Sequence, residues 1–409
     1  MKLKAFVYRS CILLAAAIAA AGCTKEAQLD LKAPASASPW TRYAGWPDKR
    51  WDEFNTLDAD HSPPIGTPPK VESPIEGDPK KGMELAFDRS RGGGCMACHV
   101  MGPQTPEQPG NVGPDLSMVG TYRSDEFLFD YMYDPRTQNT RSVMPPWGTH
   151  GSFTVDEIKD IVAFMKTLTQ PTTFNNPLDD PVQRPVPKET RDNLDEFENP
   201  AMDAVEQAKK LYKETGPNGK SCASCHEAPA KAFATWAASM PKYEPRLKKA
   251  LGIEEFVTRH TLATTGSSWL MQSKENLAMS VYLRYLANGT PIQVNLEDAG
   301  AKEAAERGKA LMQKKIGQLN FACVDCHQVG ANRWIRGQWL GEYRGQTPHF
   351  PTWRTSRHEI WDLRKRMQWC NVAIRANELR PDAQQYSDIE LYLVSLSNGL
   401  PLDVPGIRH

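Results

Sequence analysis

Residues 308–327 read GKALMQKKIGQLNFACVDCH, and the last five decide how the rest of the chain is read. C-x-x-C-H is the attachment pattern of a c-type haem: two thiols one turn apart reach the two vinyl groups, and the next residue brings its imidazole under the iron. The same spacing occurs at CMACH (Cys95, Cys98, His99) and at CASCH (Cys222, Cys225, His226), alongside Cys323, Cys326 and His327. One match could be a redox dithiol or half a zinc site. Three matches predict three covalently bound haem c groups.

The chain has 409 residues, which suggests two or three domains, each with its own core. Lys plus Arg and Asp plus Glu both number 49, so the balance carries no global bias toward nucleic acid or a membrane surface. The N-terminus, MKLKAFVYRSCILLAAAIAAAGC, places Lys2, Lys4 and Arg9 before an apolar run and small residues before Cys23. This is an export signal over 1–23 rather than a membrane span, and Ala20-Ala21-Gly22-Cys23 has the look of a lipobox that would lipidate Cys23. The expected location is the periplasm, with membrane contact only through that anchor. In such a compartment free thiols are normally paired. Six of the nine cysteines belong to haem motifs and Cys11 leaves with the signal, so Cys370 is left without a partner.

Working outward from the motifs, 24–77 reads as a tether and extended arm and 78–170 as a first haem domain. The latter closes on a helix with a capping box at Thr154-Val155-Asp156-Glu157 and apolar residues at Ile158, Ile161, Val162 and Met165. A proline-rich linker covers 171–198. Two further haem domains, 199–294 and 295–409, look like copies of one another. AKKLYKE (208–214) parallels GKALMQK (308–314), and VYLRYLANGTPIQV (281–294) parallels LYLVSLSNGLPLDV (391–404). The expectation is an all-α fold of three class I cytochrome c-like haem domains, the last two an internal duplication.

Each iron needs a sixth ligand, and its identity largely sets the potential. In SVMPPWG, Met144 is the candidate for the first haem, with His150 the runner-up. Setting Tyr392 on the matching Tyr282 and reading back along both copies brings Cys370 into register with His260; both are strong iron ligands. Met240 and Met271 are the alternatives to His260, while His349 and His358 compete with Cys370. Arg364, Lys365 and Arg366 precede Cys370, and such cations favour thiolate. Helical spacing turns only some of them toward the cysteine, and Arg366, one turn earlier, is the one expected to face it and an oxyanion.

The segment from about Asn199 to His409, with CASCH, CVDCH, RGQWLGEYRGQTPHFPTWR, the Arg366–Cys370 spacing and SNGLPLDV, resembles SoxA. Residues 78–170, with CMACH, NVGPDLSMVG and Met144, resemble SoxX, so the chain reads as a single-chain SoxX–SoxA fusion of the SoxXA type. The resemblance implies that Cys370, in the family a modified cysteine such as a persulfide, is the catalytic ligand of the last haem, assisted by Arg366. It implies an L-cysteine S-thiosulfotransferase that couples thiosulfate oxidatively to a cysteine of the carrier protein SoxYZ and passes two electrons through the haems to a small acceptor cytochrome c. In the family the first SoxA haem commonly has a distal cysteine; here that place holds His260. The competing readings are a multihaem electron carrier without its own substrate and a thiosulfate dehydrogenase that forms tetrathionate. A dihaem peroxidase fits less well, because its iron must open a site that a thiolate would hold.

Overall fold

The computed structural model describes residues 27–32, 40, 55–60, 63–91, 94–187 and 197–408. The expected export signal, with Cys11 and Cys23, lies outside the described residues. The first unit contains α1 (Pro79–Phe87), α2 (Asp125–Tyr133) and α3 (Val155–Lys166). Asp78 caps α1 by accepting from the Lys80 and Lys81 amides, and α3 starts with the expected capping box between Thr154 and Glu157. Ile158, Ile161, Val162 and Met165 are all buried. The helices α1 and α3 pack at Gly82, where a Cβ would lie 1.9 Å from the Asp160 carbonyl oxygen. Only a glycine permits that approach.

The second unit runs α4 (Met202–Leu211), α5 (Pro229–Ala238), the hairpin β1 (Lys242–Glu244) and β2 (Lys249–Leu251), then α6 (Ile253–Thr264) and α7 (Lys274–Tyr285). The third runs α8 (Ala299–Leu311), the hairpin β3 (Arg333–Ile335) and β4 (Gln338–Leu340), and the hairpin β5 (Thr352–Arg354) and β6 (Glu359–Trp361). It closes with α9 (Leu363–Ala373), α10 (Gln384–Ser395) and β7 (Gly406–Arg408). β5, β6, α9 and α10 follow β1, β2, α6 and α7 at one constant offset along the chain. α4 packs on α7 and α8 on α10, as α1 packs on α3. After the C-x-x-C-H motif the two units differ: the second continues into α5, whereas the third has the β3–β4 hairpin.

The helical expectation needs one amendment. Among the described residues the chain also forms seven strands of three residues each, in two two-stranded sheets and one three-stranded sheet ordered β6-β5-β7. Strands this short carry no alternating pattern that a sequence could display. One of them matters to the site, because β7 pairs with β5 in parallel and sets Arg354 opposite Arg408.

The second and third units meet through loops of similar sequence. Asn288 donates its side-chain amide to the Val404 carbonyl (2.7 Å) and accepts from the Val404 amide (2.8 Å); Asn398 makes the same pair of bonds to Val294, both 2.9 Å. A Pro291–Pro401 bridge lies between them. Beneath this seam is a buried ion cluster. Arg364 donates to Glu255 and Glu390 at 2.7 Å each and to the Pro381 carbonyl at 3.0 Å, while Lys249 and Arg259 also hold Glu255. Burial pushes Glu255 upward, but Arg364 and Lys249 hold it below the usual carboxylate value.

The first unit docks on the third. Leu319 is buried in the first unit's core, and Phe321 and Ile374 pack against it. The Asn111 amide donates to the Trp334 carbonyl (3.0 Å), and the Arg336 amide to the Ala97 carbonyl (2.9 Å).

Candidate functional site

A cavity of about 1960 Å³ runs through the junction of the first and third units. Cys95, Cys98, His99 and Met144 line its first-unit side, and Cys323, Cys326, His327 and Cys370 its third-unit side. The cavity wall carries ten arginines and lysines and one carboxylate, Glu342, in a chain whose formal charge is zero. Positive charge is therefore local to this cavity, where low-dielectric walls focus it on an anion.

His99 and His327 are held as a metal ligand should be held. Nδ1 of His99 donates to the Pro114 carbonyl (2.7 Å) and Nδ1 of His327 to the Gly341 carbonyl (2.9 Å). A carbonyl can only accept, so each bond fixes the proton on Nδ1 and leaves Nε2 with its lone pair. Burial lowers the pKa of both rings, which favours the neutral form that binds iron. A Cβ on Gly113 would fall 2.2 Å from Cε1 of His99, so this glycine makes room for the ring. Burial pushes the thiols of Cys95, Cys98, Cys323 and Cys326 up to about 12. Cys370 adds to the shift at Cys323 and Cys326, and Cys98 of the first motif is close enough to add to that at Cys326.

The basic run before Cys370 divides three ways. α9 begins at an Asp362 cap, which accepts from the Lys365 amide. From there Arg364 points into the buried ion cluster, and Lys365 pairs with Glu359 at 2.9 Å. Arg366 turns to the cysteine, its Nη1 donating to Cys370 Sγ at 2.9 Å. Arg354 and Arg408 line the same wall. Burial, reinforced by the charge of Arg366, lowers Arg354 to about 10. Trp369 lies beside Cys370 in the cavity wall, with the Arg357 guanidinium 4.1 Å from its ring centroid.

The competing ligands lie elsewhere or are engaged. His349 reaches the cavity, but its Nδ1 accepts from Arg408 (3.1 Å), which puts the ring proton on Nε2 and leaves neither nitrogen a spare lone pair. His358 is exposed in the β5–β6 turn at φ 55°. His150 is buried in the interface between units, where its Nδ1 donates to the Gln318 carbonyl (2.9 Å) and its own carbonyl accepts from Gln318 Nε2 (3.1 Å). Met144 lines the cavity together with the CMACH residues and packs on the first unit's core.

The second motif forms a separate site. The rings of His226 and His260 face each other with centroids 6.2 Å apart, a spacing that fits one metal ion between two imidazoles, each bond being about 2 Å. Nδ1 of His260 donates to the Gln28 carbonyl (2.8 Å), so the N-terminal arm fixes the tautomer of this ring. Met240 sits in the second unit's core and Met271 is buried. Among the described residues no three His, Cys, Asp or Glu side chains gather as a metal cluster. The metal-binding possibilities are thus axial pairs, which suit an iron whose other four ligands come from a macrocycle.

Sequence reasoning singled out the candidate ligands and Arg366 but missed Gly113, Arg354 and Arg408. Gly113 lies in the quoted NVGPDLSMVG and could have been suspected from the need for close approach beside a ligand. Arg354 and Arg408 are distant in sequence, and only the β5–β7 pairing brings them together.

Two family models match the chain: SoxA/TsdA, cytochrome c domain, over residues 207–292, and cytochrome C oxidase, cbb3-type, subunit III, over residues 91–165. These are cytochrome c domains, and they imply covalently bound haem c. Among curated relatives, the L-cysteine S-thiosulfotransferase subunit SoxA of Pseudaminobacter salicylatoxidans is 30% identical over 224 residues, 54% of this chain and 78% of the relative. The subunit of the same name from Paracoccus pantotrophus is 30% identical over 223 residues, 54% of this chain and 76% of the relative. The crystal structure of SoxXA from P. pantotrophus aligns with a TM-score of 0.49 at 30% identity, covering 53% of this chain and 81% of that one.

Proposed function

The chain belongs to the SoxA family of L-cysteine S-thiosulfotransferase subunits, and we propose that it is a single-chain SoxX–SoxA fusion that couples thiosulfate to a cysteine of the carrier protein SoxYZ at Cys370. The supporting observation is the 2.9 Å contact of Arg366 with Cys370 Sγ, in a cavity whose wall is basic and which the first haem motif shares.

In this reading the chain has a SoxX-like domain over 78–170 and two SoxA-like domains, 199–294 and 295–409, which arose by duplication. It carries three haems. Cys95 and Cys98, Cys222 and Cys225, and Cys323 and Cys326 attach them. The pairs of residues that would hold the irons are His99 with Met144, His226 with His260, and His327 with Cys370. Bound haem supplies one-electron redox steps at potentials set by these ligands. The protein is exported to the periplasm, with Cys23 as a lipid anchor.

The overall coupling joins the outer sulfur of thiosulfate to the carrier thiol: RSH + S2O3²⁻ gives RS–S–SO3⁻, one proton and two electrons. A new S–S bond forms, both sulfurs are oxidised, and the electrons leave for an acceptor cytochrome c. The chain's residues prepare this step. Arg366, with Arg354 and Arg408 on the same wall, neutralises and orients the doubly charged anion. Cys370 would carry the sulfur between the two: its thiolate joins the outer sulfur of thiosulfate with loss of two electrons to the acceptor, giving Cys370–S–S–SO3⁻, and the carrier thiolate then attacks that same sulfur and releases the Cys370 thiolate beside the Arg366 guanidinium. The shared cavity keeps the first and third motifs within one low-dielectric space, the arrangement a short electron path needs.

The test is SoxYZ-dependent reduction of an acceptor cytochrome by Cys370→Met, after the mass of the denatured chain has shown three haem additions. Methionine keeps an axial ligand but not the nucleophile, so turnover should fall by at least about 10³. Near-normal turnover would reduce Cys370 to a tuning ligand and leave an electron carrier. Thiosulfate-dependent acceptor reduction without SoxYZ, yielding tetrathionate, would instead indicate a thiosulfate dehydrogenase.

A further inference from the structure

The proline-rich stretch between the first and second units is more than a spacer over its first half. Arg184 is 7% exposed, and its guanidinium meets four carbonyls. Nε donates to Leu178 (2.5 Å) and Nη2 to Asp179 (3.2 Å), which folds the linker on itself. Nη2 also donates to Pro109 of the first unit (3.1 Å), and Nη1 to Arg336 of the third (2.8 Å). The guanidinium carbon lies 4.7 Å from the ring centroid of Trp334, itself 3% exposed. The neighbours add to this arrangement. The Asp179 carboxylate accepts from the Gln108 amide (3.0 Å). Asn111 donates to the Pro181 carbonyl (3.3 Å) while its side-chain oxygen accepts from the Trp334 amide (2.8 Å). Three segments distant in sequence, 108–111, 178–184 and 334–336, therefore close on one arginine.

The partner of this arrangement is the β3–β4 hairpin, the insertion that distinguishes the third unit from the second. After its own haem motif the second unit continues into α5 and has no hairpin to offer at that place. This difference gives a physical reason why the first unit docks on the third unit although the second is nearer in sequence. We infer that residues 176–187 are an intramolecular clasp, centred on Arg184, that docks the first haem unit on the β3–β4 hairpin and so holds the shared cavity together. The inference does not depend on what reacts at Cys370. It has a consequence for maturation: a cut within 188–196 would leave the two parts of the chain associated, with the clasp still on the first part.

The experiment uses the full haem-loaded chain with a specific protease site placed in 188–196. After cutting, the two parts of the otherwise native chain should elute as one complex at micromolar concentration. Arg184→Ala should raise their dissociation constant more than about fivefold, the scale of losing buried charge-assisted bonds. Arg184→Lys should do the same, because a point charge cannot serve four carbonyls and stack on Trp334. Melting temperatures and haem spectra of the separated parts should match those of the native sequence. A cut native chain that falls apart, or a change below fivefold in the variants, overturns the clasp. So does a lower melting temperature of the first part, which would make Arg184 a support of that unit's own fold.

Discussion

Arg364→Met tests whether the helix that carries Arg366 and Cys370 is held in place by the ion cluster beneath it. Arg364 is 1% exposed and supplies the 2.7 Å partner of Glu390, itself 2% exposed. Glu255 loses one partner but keeps Lys249 at 2.8 Å and Arg259 at 2.9 Å, so the damage concentrates on Glu390. Breaking a buried pair from one side costs about 3–5 kcal/mol, because the remaining charge is left desolvated and uncompensated. The urea transition of the second and third units, followed by circular dichroism, should lose that amount at pH 7. Glu390→Gln added to Arg364→Met removes the stranded charge and should recover most of the loss. A single-variant cost below about 1 kcal/mol, or no recovery in the double variant, would refute the reasoning.

Three further outcomes follow from the site. Arg366→Ala should lower kcat/KM for thiosulfate about 10- to 100-fold, mostly through KM, and Arg366→Lys should recover part of it; equal losses in the two would show that the planar fork is the essential feature. Gly113→Ala should displace the His99 ring and its bond to Pro114, changing the visible spectrum of the haem it serves; an unchanged spectrum would show that the ring has room to shift. Deleting residues 24–30 removes the Gln28 carbonyl from His260, and one haem potential should rise because the imidazole becomes a weaker donor. A spectropotentiometric titration indistinguishable from that of the full chain would count against His260 as the ligand it positions.

How far the sequence reaches is clearest around α9. The haem motifs were legible because attachment chemistry demands a fixed local spacing, and the capped closing helix because its signals lie within one turn. The pairing of His260 with Cys370 followed from the repeat, and α6 and α9 are offset along the chain by the same interval as the two residues themselves. Helical spacing also singled out Arg366 from its neighbours, since a residue four before Cys370 shares its face.

What each neighbour does instead was not legible. Lys365 finds Glu359 across the β6–α9 corner and Arg364 finds Glu390 on α10, while Arg364 meets Glu255 only because the second and third units pack against one another. Nor could a sequence show that the first haem unit would share a cavity with the third, or that a linker arginine would join them. Local chemistry is encoded in adjacent residues, whose distances the covalent chain fixes. Docking depends on contacts between residues far apart along the chain, and those distances exist only once the units have packed.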